Sequence, residues 1–313
     1  MFSQTLTIVL FGLTLNSVLS ASIRDLGGVW QLKDAQGEYS VNATVPGGVY
    51  SDLINNNIIN DVFYGSNDVE TRWVSQKNWT YSRTFIVDQQ LDDYQMVNLV
   101  FEGVDTFAKI YVNDVLAAET DNMFLQYVIR VKHLIKVGLN ELRVQFQSPV
   151  EKAKQLFDEQ ARQYPVPPLC VPDEYNGECH VNHIRKMQAS FAWDWGPAFP
   201  SMGIWKPVFL EGYTSTLIRH INVEIEENNN TEEWNVGIRV YFVQPLVLTD
   251  YITGEVIVKL HTDIDVVTHI FNDNIYRDAN DDYTFNCSFS IPKVSIPQKQ
   301  IGAYSYGCSI HYQ

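Results

Sequence analysis

The chain has 313 residues, 45% of them hydrophobic, and carries 22 Lys and Arg against 37 Asp and Glu for a net charge of −15. That length allows two domains of about 150 residues each, and the apolar content is enough for real cores. The acidic excess argues against nucleic acid, whose phosphates need a basic surface, and against an anionic membrane surface. It suits a protein kept dispersed by self-repulsion, for example in an acidic compartment.

Residues 1–20 read as a signal peptide. Thr5 to Leu15 is apolar and uncharged, and Val18-Leu19-Ser20 supplies the positions a signal peptidase reads, although no Lys or Arg precedes the run. The apolar stretch is too short for a membrane span, and no later stretch approaches that length, so the mature chain is expected to be soluble in the secretory pathway. Four glycosylation sequons agree with this, at Asn42, Asn78, Asn229 and Asn286.

Strands dominate the remainder of the chain. Trp79 to Val87 alternates aromatic and polar residues, and Met96 to Phe101, Phe107 to Val112 and Leu142 to Phe146 are further β-rich runs. Asn113-Asp114 is placed for a hairpin turn, and Gly138-Leu139-Asn140 reads as another turn before Leu142. One helix is predicted, Glu151 to Arg162, after Pro149 and ended by Pro165-Val-Pro-Pro. Many short strands between turns point to an all-β sandwich.

Cys170 and Cys179 enclose a turn-rich octapeptide that can bring the chain back on itself, and a disulfide between them is expected. Cys179-His180 with His183 suggests zinc, but the spacing is not that of a finger and the secretory setting favours the disulfide, so neither metal nor cofactor is expected. Cys287 and Cys308 have no evident partner beyond each other. The most informative segment is Ser190 to Trp205, where Trp193 and Trp195 flank Asp194. Gly196 and the nearby prolines predict an irregular, rigid loop on which all three side chains converge. A carboxylate accepts hydrogen bonds from hydroxyls and an indole offers an apolar face, which together suit a sugar ring. The bland alternative is a pair of core tryptophans around a turn-capping Asp194. Asp194 as a catalytic acid is disfavoured, because no second carboxylate stands in comparable surroundings, and Asp105 is expected to be structural.

A boundary is expected at Tyr213 to Leu217. Beyond it plain alternation takes over in Ile221 to Glu226, Trp234 to Phe242, Gly254 to Leu260 and Tyr283 to Ile291, about five strands of an immunoglobulin-like sandwich that would lack its last strands.

Several ordered blocks carry a family resemblance. These are Leu26-Gly-Gly-Val-Trp-Gln-Leu, Val45-Pro-Gly-Gly-Val-Tyr-Ser-Asp-Leu, Asn78-Trp-Thr-Tyr-Ser-Arg-Thr-Phe, Phe101-Glu-Gly-Val-Asp-Thr-Phe-Ala, His183-Ile-Arg-Lys, Ser190-Phe-Ala-Trp-Asp-Trp-Gly-Pro and Gly203-Ile-Trp-Lys-Pro-Val. In order and spacing the chain resembles, from about residue 24 to 292, the N-terminal part of the β-mannosidases of glycoside hydrolase family 2, of the animal lysosomal kind. The resemblance implies a jelly-roll-like sugar-binding β-sandwich over residues 21–213 and an incomplete immunoglobulin-like β-sandwich over 214–293. In the family a (β/α)8 barrel follows and carries the acid/base and nucleophilic glutamates. It also implies substrate contact by Trp193, Asp194 and Trp195, with a β-mannoside oligosaccharide as the full protein's substrate and the lysosome as destination, the extracellular space being the alternative. Residues 294–313 match nothing expected of the family and read as a divergent tail of a truncated product. A chain of this extent is expected to be inactive alone, and a stand-alone lectin-like module is the competing reading.

Overall fold

The computed structural model describes residues 21–194, 196–214, 216–228, 231, 233–243, 251–261, 266–276, 283–292 and 307–311. The expected signal peptide, Asn229, Trp195 and the junction at residue 293 lie outside them. The chain forms two compact units with their border between Tyr213 and Thr214.

The first unit is an antiparallel sandwich. One sheet has six strands in the order β3 (Ser40–Val45), β2 (Gly28–Asp34), β4 (Trp79–Val87), β9 (Gly138–Phe146), β6 (Ala108–Val112), β7 (Val115–Thr120). The other has four, in the order β1 (Ser22–Asp25), β12 (Val208–Tyr213), β5 (Met96–Phe101), β8 (Tyr127–Arg130). Strand β4 shows why these residues fold this way. Successive side chains in a strand point to opposite faces, so Trp79, Tyr81, Phe85 and Val87 are buried while Thr80, Ser82, Thr84 and Ile86 look outward. Trp30 and Leu32 of β2, Ile110 and Val112 of β6, and Leu142, Val144 and Phe146 of β9 complete the inner face. Each large apolar side chain buried this way contributes about 1.5–3 kcal/mol. Arg83 occupies an inward position and directs its guanidinium to the carbonyls of Leu26 and Gly27, above the Trp30 ring.

The turns follow from residue chemistry. Asn113 and Asp114 both have positive φ, 49° and 64°, which a two-residue hairpin loop requires and Asn and Asp tolerate. The side chain of Asn113 donates to Leu134 O and Asn140 Oδ1 and accepts from Glu141 N. Gly138-Leu139-Asn140, expected as a turn, instead opens β9. The chain reverses just before it, and Asn140 closes that reversal by donating to Lys136 O and accepting from Lys136 N.

Helix α5 (Pro149–Ala161) stands close to its expected span, with Ser148 as N-cap accepting from Glu151 N. Beside it are α1 (Val49–Asn55) and three one-turn helices, α2 (Asn67–Glu70), α3 (Trp73–Gln76) and α4 (Gln89–Asp92), none of which the sequence pattern signalled. Helix α1 is tied down by the buried carboxylate of Asp52, which accepts from Thr44 N and from Tyr81 Oη at 2.6 Å. Burial, and then the Asp52 charge, push the Tyr81 phenol well above its ordinary pKa.

The second unit contains two three-stranded antiparallel sheets. Strands β13 (Ile218–Asn228), β14 (Glu233–Phe242) and β17 (Tyr283–Pro292) form one; β16 (Val266–Tyr276), β15 (Tyr251–His261) and β18 (Gly307–His311) form the other. The first buries Val236, Ile238, Val240, Phe242, Tyr283 and Phe285. Strand β16 was not anticipated, and β18 shows that part of the divergent tail pairs with β15, Cys308 standing opposite Val258. Cys287 is a free thiol, half-buried, and burial pushes its pKa up to about 11. No helix among the described residues is long and apolar enough to cross a membrane.

Candidate functional site

The segment after α5 is irregular for some forty residues and is fastened at three places. The first is the disulfide between Cys170 and Cys179, whose Cα atoms are 4.5 Å apart. It stabilises by roughly 2 kcal/mol or somewhat more through the unfolded state. The second is Arg72, which pairs with Glu178 at 3.1 Å and donates to Asn176 O at 2.5 Å. Glu178 N in turn donates to Phe191 O at 2.9 Å. The third lies beneath the loop, where the fully buried Lys186 ammonium meets the Asp105 carboxylate at 2.5 Å. Ser201 Oγ donates to Asp105 at 2.7 Å, and Lys186 donates to Ser201 O at 2.9 Å. Asp105 and Gly203 also exchange both backbone hydrogen bonds. Asp105 is thus structural, as its setting in the sequence suggested.

Held on this base, Phe191–Trp193 (β10) and Gly196–Ala198 (β11) pair as a short antiparallel hairpin. Phe191 is buried with Phe107, Ala153 of α5 and Ile184. The expected irregular loop is therefore a tight hairpin with Asp194 at its tip. Pairing of Trp193 with Gly196 leaves just two residues to turn the chain, and Gly196 at φ +157° supplies backbone that other residues rarely adopt. Trp193 is half-buried and Asp194 exposed, so neither is a core residue.

Trp193 and Asp194, with Gly196 and Pro197, form one wall of a surface depression of about 480 Å³. The opposite wall comes from Val62, Phe63, Gly65, Asp68 and Tyr175. The Tyr175 ring lies 5.8 Å from that of Trp193 at 49°, carried there by the disulfide loop. Phe63 is 81% exposed and meets Phe199 edge-on at 5.3 Å. Its loop is shaped by Asp61, which accepts from Phe63 N and from the Asn67 side chain. The depression thus offers aromatic surface and two carboxylates, a combination suited to a ring with apolar faces and hydroxyl edges. Sequence reasoning missed Phe63, Asp68 and Tyr175. The one signal available was a Phe-Tyr pair inside an otherwise polar turn.

Cys179, His180 and His183 do not form a metal-ligating cluster among the described residues. Cys179 is engaged in the disulfide, and His180 stacks on Phe157 of α5 at 4.0 Å while His183 meets the same ring edge-on. Burial lowers the His180 pKa, the neighbouring His183 and Lys154 lower it further, and Asp158 opposes them.

The first unit is thus an antiparallel sandwich with an exposed hairpin that sets an aromatic and an acidic side chain at the lip of a depression. The family described as glycosyl hydrolase 2 galactose-binding domain-like matches residues 30–206, and the chain belongs to it. The curated relatives the chain resembles include several β-mannosidases, as the sequence blocks implied. The β-mannosidase of Capra hircus is 42% identical over 243 residues, covering 78% of this chain and 27% of its own. A probable β-mannosidase of Caenorhabditis elegans is 39% identical over 201 residues, 63% of this chain and 22% of its own. Among solved structures, a β-D-mannosidase from Dictyoglomus thermophilum superposes with a TM-score of 0.70 at 29% identity, over 87% of this chain and 31% of that one. A β-glucuronidase from an uncultured Clostridium shares the fold with a TM-score of 0.58 at 17% identity, over 96% and 44%. The chain spans about a quarter of the length of the curated relatives it matches.

Proposed function

We propose that these 313 residues are the N-terminal part of an exo-acting, retaining β-mannosidase that removes terminal non-reducing β-D-mannose from glycoprotein-derived oligosaccharides. In this reading the first unit is the family's jelly-roll sugar-binding domain and the second an incomplete immunoglobulin-like sandwich. Trp193, Asp194 and Trp195 contact the terminal mannose, and the bond is broken by carboxyls outside residues 1–313. The observation that carries the reading is the exposed hairpin tip, with Asp194 and Trp193 on the wall of an aromatic, acidic depression. The secretory route belongs to the same proposal, with residues 1–20 as signal peptide, glycans on Asn42, Asn78, Asn229 and Asn286, and the lysosome as destination. The disulfide and the exposure of Asn42, Asn78 and Asn286 support it.

Two experiments test it. Purified residues 21–313 release no mannose from a chromogenic β-mannoside; release, with contaminating enzyme ruled out, refutes the division of labour. Calorimetry on the same material shows no mannose binding, and clear binding would favour a stand-alone lectin-like module. For the role of Asp194, residues 21–213 replace the matching segment of the Dictyoglomus thermophilum β-D-mannosidase. In that chimera Asp194→Ala lowers kcat/KM by on the order of 100-fold, the loss of one charged hydrogen-bond acceptor. Lys33→Ala, on strand β2 and outside the lining of the hairpin depression, leaves it unchanged. An active chimera indifferent to Asp194→Ala removes that residue from the substrate site.

A further inference from the structure

A second, larger concavity lies away from the hairpin depression. It is a groove of about 1050 Å³ over the outer face of the six-stranded sheet, with α5 along one side. The register defines its floor. One row across the sheet runs Lys33, Thr80, Gln145, Lys109, Glu119, and the next runs Asn42, Gln31, Ser82, Arg143, Tyr111. Nearly every outward position thus ends in a hydrogen-bonding group. An ordinary wetted sheet face would present a similar floor, but it does not account for the residue that stands at the mouth of this one.

Asn78, the acceptor residue of the Asn78-Trp79-Thr80 sequon, lines the groove itself, and so does the Thr80 hydroxyl side chain. The Asn78 side chain is held in one orientation, because its Oδ1 accepts from Ser148 N, the N-cap of α5, at 2.8 Å. Its Nδ2, the atom that bears a glycan, makes no hydrogen bond among the described residues, and the residue as a whole is exposed. A sugar chain attached there starts from a fixed anchor at the groove wall. Donors and acceptors from Lys109, Gln145 and Glu119 are ranged before it, and Leu156 of α5 offers an apolar patch on the flank. Tethering makes the encounter intramolecular, so weak contacts suffice.

We propose that the groove over the six-stranded sheet is the resting site of the N-glycan on Asn78. The proposal rests on the secretory route above. Asn42 supplies an internal control, since it lies on the same sheet face but on edge strand β3, outside the groove lining.

The chain is expressed in a eukaryotic secretory host and treated, still folded, with an N-glycan-releasing amidase, and release is followed site by site by mass spectrometry. Release at Asn78 is expected to be about tenfold slower than at Asn42, the ratio that corresponds to ~1.4 kcal/mol of groove contact. The two rates become equal in denatured protein, and in folded Lys109→Ala/Gln145→Ala protein, both positions being exposed and outside the core. Equal rates in folded wild type overturn the proposal, as does a bare Asn78. Slow release that persists in the double variant also overturns it, since obstruction then lies at the attachment point. Glycan absent from Asn42, Asn78 and Asn286 together refutes the secretory reading as well, whereas glycan at Asn42 with fast release at Asn78 refutes the docking alone.

Discussion

Asp105 and Lys186 show how much of the site depends on one buried pair. Lys186 is 2% exposed and Asp105 4%, and among the described residues the ammonium donates to oxygens of Asp105 and Ser201. Burial lowers the Lys186 pKa, and the Asp105 charge works against that. An apolar replacement of the whole pair can be tolerated, but removal of one partner strands a charge in a dry interior, at about 3–5 kcal/mol. Lys186→Met is therefore expected to lower the urea midpoint of the first unit steeply, and the double variant Lys186→Met/Asp105→Leu to recover part of the loss. A Lys186→Met protein as stable as wild type would show that the pair is not what fastens the loop. His180 makes a second prediction at this scale. Its pKa is lowered in the folded loop from an ordinary 6.5, so the opened loop binds the proton more readily. The contribution to closure is complete above 6.5 and is lost progressively as pH falls below it. Hydrogen-exchange protection of residues 170–193, corrected for intrinsic rates, should fall as the pH is taken below 6.5, and His180→Phe should flatten that dependence. Protection that rises on acidification contradicts the sign.

At the scale of elements, the hairpin and the disulfide loop form one unit through Gly177. A Cβ there would stand 2.5 Å from Val171 Cγ2 and 2.8 Å from the Phe191 carbonyl oxygen. Gly177→Ala must push the loop off the hairpin, at about 1–3 kcal/mol, and take Tyr175 away from Trp193. Loss of near-ultraviolet circular dichroism with far-ultraviolet signal retained would report this; an unchanged spectrum would mean the loop gives way at no cost to the aromatic wall. The same region shows what sequence could and could not tell. The alternation in β4, the apolar run of β5, the hairpin at Asn113-Asp114 and the body of α5 were legible because each obeys one period or one turn rule. Strands β2 and β3 were not, since Gly-Val-Trp-Gln-Leu-Lys-Asp and Ser-Val-Asn-Ala-Thr-Val are short and rely on neighbours for burial. Helix α1 escaped for a related reason. Its cap is Gly48, which leaves no side-chain signature, and a tertiary carboxylate, Asp52, holds it. At the site, the Cys170–Cys179 bridge and the prominence of Trp193 and Asp194 were readable locally. Phe63, Asp68 and Tyr175 were not, because they meet Trp193 only through contacts spanning more than a hundred residues of chain or a loop closed by the disulfide.

At the scale of the whole molecule, each compact unit has an apolar core of its own among the described residues. Among the described residues the first unit gathers a contiguous core running from Leu26 to Leu210 and including Trp30, Trp79, Phe101 and Phe146. In the second, the sheet of β13, β14 and β17 gathers a cluster that runs, among the described residues, from Val236 to Phe285. The first unit is also closed by the Cys170–Cys179 bridge and tied by the buried Lys186–Asp105 pair, and local openings are drawn from the less firmly tied parts. The second unit is therefore expected to open first. The sequence provides a reporter for each. Six of the seven tryptophans, all but Trp234, belong to the first unit, while the free thiol of Cys287 belongs to the second. With its pKa pushed up to about 11 by burial, that thiol reacts slowly at neutral pH until β17 is exposed. In a Cys308→Ser background, labelling of Cys287 should rise at a lower urea concentration than the shift in tryptophan fluorescence. The gap should widen on Val240→Ala, which trims the second unit's core, and narrow on Leu142→Ala, which trims the first's. Coincident transitions that move together under either substitution would show instead that the chain unfolds as one cooperative body.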